Sequence, residues 1–514
     1  MRVTTLWKRI TTTLKDPDMR AKVLALAGGK AIGLILLLTA MGIYLGGGVH
    51  AQAAATPQPT PEMNAINTSW TLIAAFLVFA MQVGFVMLEA GFARSRESVN
   101  ILVEGIVDTC ICGVTFWAWG FAFMFEDGNG FIGKHGFLLK GLADTYGTTG
   151  VPLLAFWVFQ FAFADTCSTV TSGAMVGRCG FIGDILYSIG VTGFIYPIIG
   201  HWAWGPDGWL TTLSTPFHDF AGSTVVHTIG GAISLVGAIA LGPRLGRVFA
   251  RDGGGPMLPH NIIMGAVGGL ILWFGWYGFN PGSTLSALDA AGIGRVSFNT
   301  TLAACSAGLA SLFYVFGRTG KWDLGITTNG FLAGLVAITC PCYWVSPTGS
   351  FFIGIVAGLV VIWGIDALEY LRVDDPIGAV PVHMVAGIWG TLSLGLFATG
   401  AYGAPTAMGS DTSAGAIVKG LFYGGGTSQL VAQAIGSFSI TAATIVVSFA
   451  LMYAVKATGT LRISREGELE GLDVHEHGMF AYPEFATHPS EPLHGSPAPA
   501  AAIAHVTAPA KART

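Results

Sequence analysis

"DFAGSTVVHTIGG" (residues 219–231) and "DDPIGAVPVHMVAGIWG" (374–390) each set a histidine eight residues after an aspartate, His227 after Asp219 and His383 after Asp375, at the head of a run that otherwise suits lipid. The second copy lies five apolar runs after the first, and an odd number of crossings reverses direction. One helix therefore enters from one face of a membrane and the other from the opposite face. This is an inverted-topology repeat, a device that places sites near the bilayer midplane. Eight residues carry each histidine about 12 Å inward at 1.5 Å per residue. Two such helices entering a hydrocarbon core about 30 Å thick bring their imidazoles close to one another.

The composition agrees with that reading. Of 514 residues, 52% are hydrophobic and 11% charged, and 73 are glycine, outside the range of ordinary soluble domains. Apolar runs long enough for a helix to cross are centred near residues 80, 112, 163, 192, 231, 269, 306, 333, 360, 388 and 444. No apolar/polar alternation of barrel type is present. The expected fold is an all-α polytopic membrane protein of eleven transmembrane helices, with an inverted five-plus-five repeat and a central pore per subunit.

Residues 1–30 carry seven Lys/Arg, residues 31–45 are apolar, and "AQA" at 51–53 precedes a Pro/Thr-rich stretch. That order predicts a signal peptide over 1–53, with retention as an anchor helix as the alternative, and a linker over 54–64. The membrane domain is then expected over 65–460, and a cytoplasmic tail over 461–514, disordered after about 484. An external start puts twelve Lys/Arg on the inner side (Arg94, Arg96, Arg178, Arg244, Arg247, Arg251, Arg318, Lys321, Arg372, Lys456, Arg462, Arg465) and four on the outer (Lys134, Lys140, Arg295, Lys419). The positive-inside rule supports this orientation, in a cell inner membrane, with the N-terminus outside and the C-terminus cytoplasmic.

A net charge of -4 on this length points to no nucleic-acid partner. The seven cysteines are read as packing residues, since their number is odd and neither CxxC spacing nor neighbouring histidines indicate zinc. No nucleotide loop, nucleophile elbow or metal-ligand set supports an enzyme, and no cofactor is expected. Asp375 before Pro376 reads as a helix cap, whereas Asp219 reads equally as a cap or as support for a cation site. Glu89, Glu104, Asp108, Asp165, Asp184 and Asp366 lie within apolar runs, and pairing between helices is the reading given to them.

"FWVFQFAF" (156–163), "GHWAWG" (200–205) and "GWYGFNPGS" (275–283) fall at the outer boundary. Trp157, Trp202, Trp276 and Tyr277 are read as interfacial anchors. The remaining rings, with the hydroxyl of Ser283, form a plausible vestibule for a small cation.

With these segments the chain resembles the ammonium transporter family (Amt/Mep/Rh), and its Amt branch in particular. The resemblance rests on "MLEAGFARSRESVNIL", "QFAFADTCSTVTSGAMVGR", "DFAGSTVVH", "HNIIMGAVGGLILWFGWYGFNPGS", "DDPIGAVPVHMVAGIWG" and "GLDVHEHGMFAY", which extend from residue 65 to about 483. It implies that Phe159, Trp204 and Ser283 form an outer ammonium recruitment site with Asp219 as its supporting carboxylate. It further implies that Phe163 and Phe279 are a stacked gate, and that His227 and His383 are the paired pore histidines. A homotrimer with one pore per subunit and a tail that meets a PII-type regulatory protein follow from the same resemblance. So does conduction of ammonia after deprotonation of ammonium, with net charge transfer. An ammonium sensor signalling through its tail and an Rh-type gas channel are the alternatives. Trp204 and the "FADT" and "GLD" motifs speak against the Rh type. Three departures stand out: Gly378 where some relatives carry an acidic residue, Met479 where relatives read "HGE", and an Ala-rich extension past residue 484 that matches no family motif.

Overall fold

The computed structural model describes residues 59–483. The expected signal peptide and most of the final tail lie outside the described residues. Eleven helices build the body: α1 Pro61–Phe92, α2 Ser95–Phe125, α3 Leu153–Ser172, α4 Phe181–Trp204, α5 Ser223–Leu241, α6 Ile262–Thr284, α7 Ala290–Thr319, α8 Leu324–Thr339, α9 Pro347–Tyr370, α10 Val380–Phe397 and α11 Ser428–Ala457. Ten are long and apolar enough to cross a membrane; α8, at 16 residues, is shorter. Two short helices follow, α12 Arg465–Glu470 and α13 Leu472–His477. The first helix begins at Pro61, inside the stretch read as a linker, because Thr60 accepts from the Met63 amide and proline is tolerated in a first turn.

The helices start where side-chain caps exist. Asn261, Asp289, Asp323 and Ser346 each accept the amide three residues on, which satisfies donors that lipid cannot. The length of α8 has a physical reason. Residues 328–330 and 332–345 are buried in protein, and the carbonyls of Thr339 and Cys340 accept from the amides of Ala221 and Phe220. A helix enclosed in this way is not required to span lipid by itself.

Corresponding members of the two halves pair. α1 lies along α6, where a Cβ built at Gly91 would fall 2.2 Å from the Gly265 amide nitrogen and one at Gly268 2.4 Å from that of Leu88. Contact this close between backbones requires glycine. α5 and α10 meet through their first turns, and both are wound as π-helix there, Ser223–Thr228 and Val380–Val385. Such turns concentrate at functional sites because they re-aim side chains. Among the described residues, three two-stranded hairpins decorate the connections between helices. The end of the body carrying Trp204 and Ser283 is called here the aromatic end, and the opposite end, where α12 and α13 dock, the tail end.

Candidate functional site

The two aspartates build the same local structure. Asp219 Oδ1 accepts from Gly222 and Ser223, and Oδ2 from Thr224 and Val225, all at 2.8–3.0 Å. Asp375 Oδ1 accepts from Gly378 and Ala379, and Oδ2 from Val380. Both chains turn at a glycine of positive φ, +112° at Gly222 and +81° at Gly378, three residues after the aspartate and five before the histidine. An L side chain is strained in that conformation, so Gly378 is the residue the turn demands. The cap then fixes the rotation of each following turn, and the histidines face each other with Nδ1 atoms 3.2 Å apart.

A column of rings passes through this pair. Centroid distances are 4.7 Å from Phe159 to Phe163, 4.0 Å from Phe163 to Phe279, 5.3 Å from Phe279 to His227, 5.2 Å from His227 to His383 and 6.5 Å from His383 to Phe85. Phe163 and Phe279 lie stacked 24° from parallel, and both are buried. Trp204 meets Phe163 edge-on at 6.2 Å, and its Nε1 donates to the Asp219 carbonyl. Ser283 Oγ donates to the Phe279 carbonyl, which leaves its lone pairs as acceptors, while a Cβ at neighbouring Gly282 would lie 3.3 Å from the Phe159 ring. On the far side of His383, a pocket is lined by Phe85, Leu88, Leu272, Leu332, Ile377 and Val382, among others.

A hydrogen bond between two Nδ1 atoms sets a condition on both rings. One Nδ1 must carry the proton and the other must not, so in a neutral pair the two Nε2 atoms are complementary, one bare and one protonated. His227 Nε2 is buried and has no hydrogen-bond partner among the described residues. A buried polar atom so placed is free to pair with a hydrogen-bonding molecule in the lumen.

A family model described as Ammonium Transporter Family matches residues 69–482. The chain belongs to that family. The ammonium transporter Amt2 of Archaeoglobus fulgidus is 39% identical over 465 residues, covering 88% of this chain and 95% of that one. Ammonium transporter 1 member 3 of Solanum lycopersicum is 37% identical, covering 82% of this chain and 93% of that one. Among solved structures, one titled Sensor Amt Protein superposes with a TM-score of 0.72 at 35% identity, over 81% of this chain and 99% of that chain. Candida albicans Mep2 gives 0.72 at 28% identity, over 84% of this chain and 94% of its own.

In this ammonium transporter two sequence expectations need revision. Trp276, read as an interfacial anchor, is fully buried: its ring stacks on His227 at 5.1 Å and its Nε1 donates to Thr339 Oγ1. The signal was present, since residue 276 lies one turn before Phe279 and so shares its face. Trp202 is likewise covered, with Nε1 donating to the Phe131 carbonyl of the loop above it. For Asp219, which the sequence left open between a cap and support for a cation site, both carboxylate oxygens accept backbone amides as a cap does, and its carbonyl accepts from Trp204. The tail end carries a feature the sequence did not disclose. Asp374 takes a two-pronged ion pair from Arg244, with Arg247 at 3.4 Å and Arg178 donating to its carbonyl. Burial alone would raise the Asp374 carboxyl, but the Arg244 hydrogen bonds and the Arg178 charge outweigh it and hold it well below the usual carboxylate range.

Proposed function

We propose that the aromatic end recruits ammonium between Phe159, Trp204 and Ser283, and that ammonia passes the Phe163/Phe279 stack and travels along the two imidazoles. A cation gains about 0.5–2 kcal/mol per aromatic face and of order 1 kcal/mol from a hydrogen bond to Ser283. A bare ion entering an apolar lumen faces tens of kcal/mol. Recruitment is far too weak to cover that, so the proton leaves before the neutral molecule enters. The single observation that carries the reading is the pair of facing Nδ1 atoms together with the partnerless His227 Nε2.

The same pair offers a path for the proton. If His227 Nε2 accepts a proton, the Nδ1 proton of His227 can pass to His383 and the Nε2 proton of His383 can leave on the far side. One charge advances and both tautomers invert. Ammonia delivered with that proton constitutes net charge transfer. In this reading the aromatic end faces outward and the tail end the cytoplasm of a cell inner membrane, as the distribution of Lys and Arg supports. The family resemblance further supports a homotrimer and a PII-type protein at the tail.

Methylammonium uptake into a transport-deficient host tests the reading. Uptake suppressed by external ammonium is expected. Binding without flux would replace the transporter mechanism with that of a sensor.

A further inference from the structure

α2 presents Asn100, Glu104, Asp108, Cys112 and Thr115 at steps of four, four, four and three residues, which is one stripe of a helix. α4 presents Asp184, Ser188 and Thr192 in the same way. All of these side chains are buried, and the two stripes mesh. Ser188 donates to Asp108, Tyr187 donates to Asp184, and the Thr115 and Thr192 hydroxyls lie 2.8 Å apart. Ser188, one turn on from Asp184, thus ties Asp108 of α2 to the stripe of α4, and Glu104 lies one turn from both Asn100 and Asp108. None of these partners is cationic.

Two further observations point to a ligand. Glu104 Oε1 and Asp184 Oδ2 are wholly buried and have no hydrogen-bond partner among the described residues. The stripe is also connected outward: Asn100 Oδ1 lies 2.9 Å from Nε2 of the half-buried His477, which is followed by exposed Gly478 and Met479 at the tail end. Among the described residues no group of three or more His, Cys, Asp or Glu has the geometry to hold a metal ion. Ionisable side chains buried within a membrane-spanning bundle, with no cation among their partners, mark a candidate site for a proton.

We propose that Glu104, Asp108 and Asp184 form a proton-binding site, separate from the histidine pair and loaded from the tail end, the end of the stripe that Asn100 and His477 close. Loading transfers one proton from hydronium to a carboxylate, leaving water and an acid–carboxylate pair; unloading is the reverse. The groups facing the site are Glu89 from α1, Asp165 from α3, Cys179 and Arg178 from the preceding connection, Tyr187 from α4, and Asp473, Glu476 and His477 from α13. Asp165 accepts from Thr109, next to Asp108, and lies two residues after Phe163, so a change of charge at the site acts on the helix that carries the phenyl stack.

Difference infrared spectroscopy on the full chain in lipid tests this. The expected result is carbonyl absorption from protonated carboxyl groups at neutral pH, altered in both Glu104→Gln and Asp184→Asn and retained in His227→Ala. Asn100→Leu should slow hydrogen–deuterium exchange of those bands several-fold. Absence of protonated carboxyl absorption in the unaltered protein would overturn the site without recourse to any variant. Bands that none of Glu104→Gln, Asp108→Asn and Asp184→Asn moves would overturn the assignment, and unchanged exchange in Asn100→Leu would overturn the route.

Discussion

The first turns of α5 and α10 share one device, an aspartate cap, a left-handed glycine and a histidine five residues on, yet their surroundings differ in kind. Around Asp219 the neighbours are rings: Trp204 on its carbonyl, and Phe220 stacked on Tyr343 at 4.9 Å. Beside Asp375 they are guanidinium groups, Arg244, Arg247 and Arg178, gathered on Asp374. Aromatic faces attract a cation, and a cluster of fixed positive charges does not. The repeat thus supplies symmetric hardware at the centre, and the ends give it a direction.

The largest effect is expected at the tail end. Asp374→Ala leaves Arg244 buried without its partner and should cost about 3–5 kcal/mol, read from denaturant unfolding of the purified protein. The sign with pH follows from the depressed Asp374 carboxyl. Its contribution is complete above the unfolded value of about 3.9 and fades only as pH falls through the lower folded value. The stability gap between the unaltered protein and Asp374→Asn should therefore persist at mildly acidic pH; a gap that closed near neutrality would mean the ion pair is not what holds this end. Gly222→Ala and Gly378→Ala come next. Each forces a side chain into the left-handed region at a cost of about 1–3 kcal/mol, and the two should lose similar stability if the turns are equivalent. A loss at one position alone would show that the repeat is not symmetric in energy.

Smaller effects should separate the ends. Trp204→Leu removes one aromatic face worth about 0.5–2 kcal/mol, which corresponds to roughly 2- to 30-fold in apparent ammonium affinity. Ser283→Ala removes about 1 kcal/mol, roughly 5-fold. Concentration dependence of uptake reads both, and no change in either would remove the recruitment site.

Much of this was legible because hydropathy and spacing are local properties. All eleven segments fall where apolar runs placed them, and the interval from Asp219 to His227 recurs from Asp375 to His383. The ring column required more than local signals. Phe159, Phe163 and Phe279 stood out by resemblance, but Trp276 looked like any boundary tryptophan, since its burial depends on α8, which follows it by some fifty residues. Asp374 drew no reading of its own, because its partners Arg178 and Arg244 lie far from it in the chain. The carboxyls of α2 and α4 were read as groups that pair helices, but which of them share one interface is set only by how the two helices pack.

The central claim is that the facing imidazoles conduct. Ammonium-evoked current on solid-supported membranes, compared between the unaltered protein and His227→Ala at matched ammonium and potassium, tests it most directly. The account predicts a current in the unaltered protein that His227→Ala either abolishes or renders unselective between the two cations. Current and selectivity both unchanged in His227→Ala would contradict it.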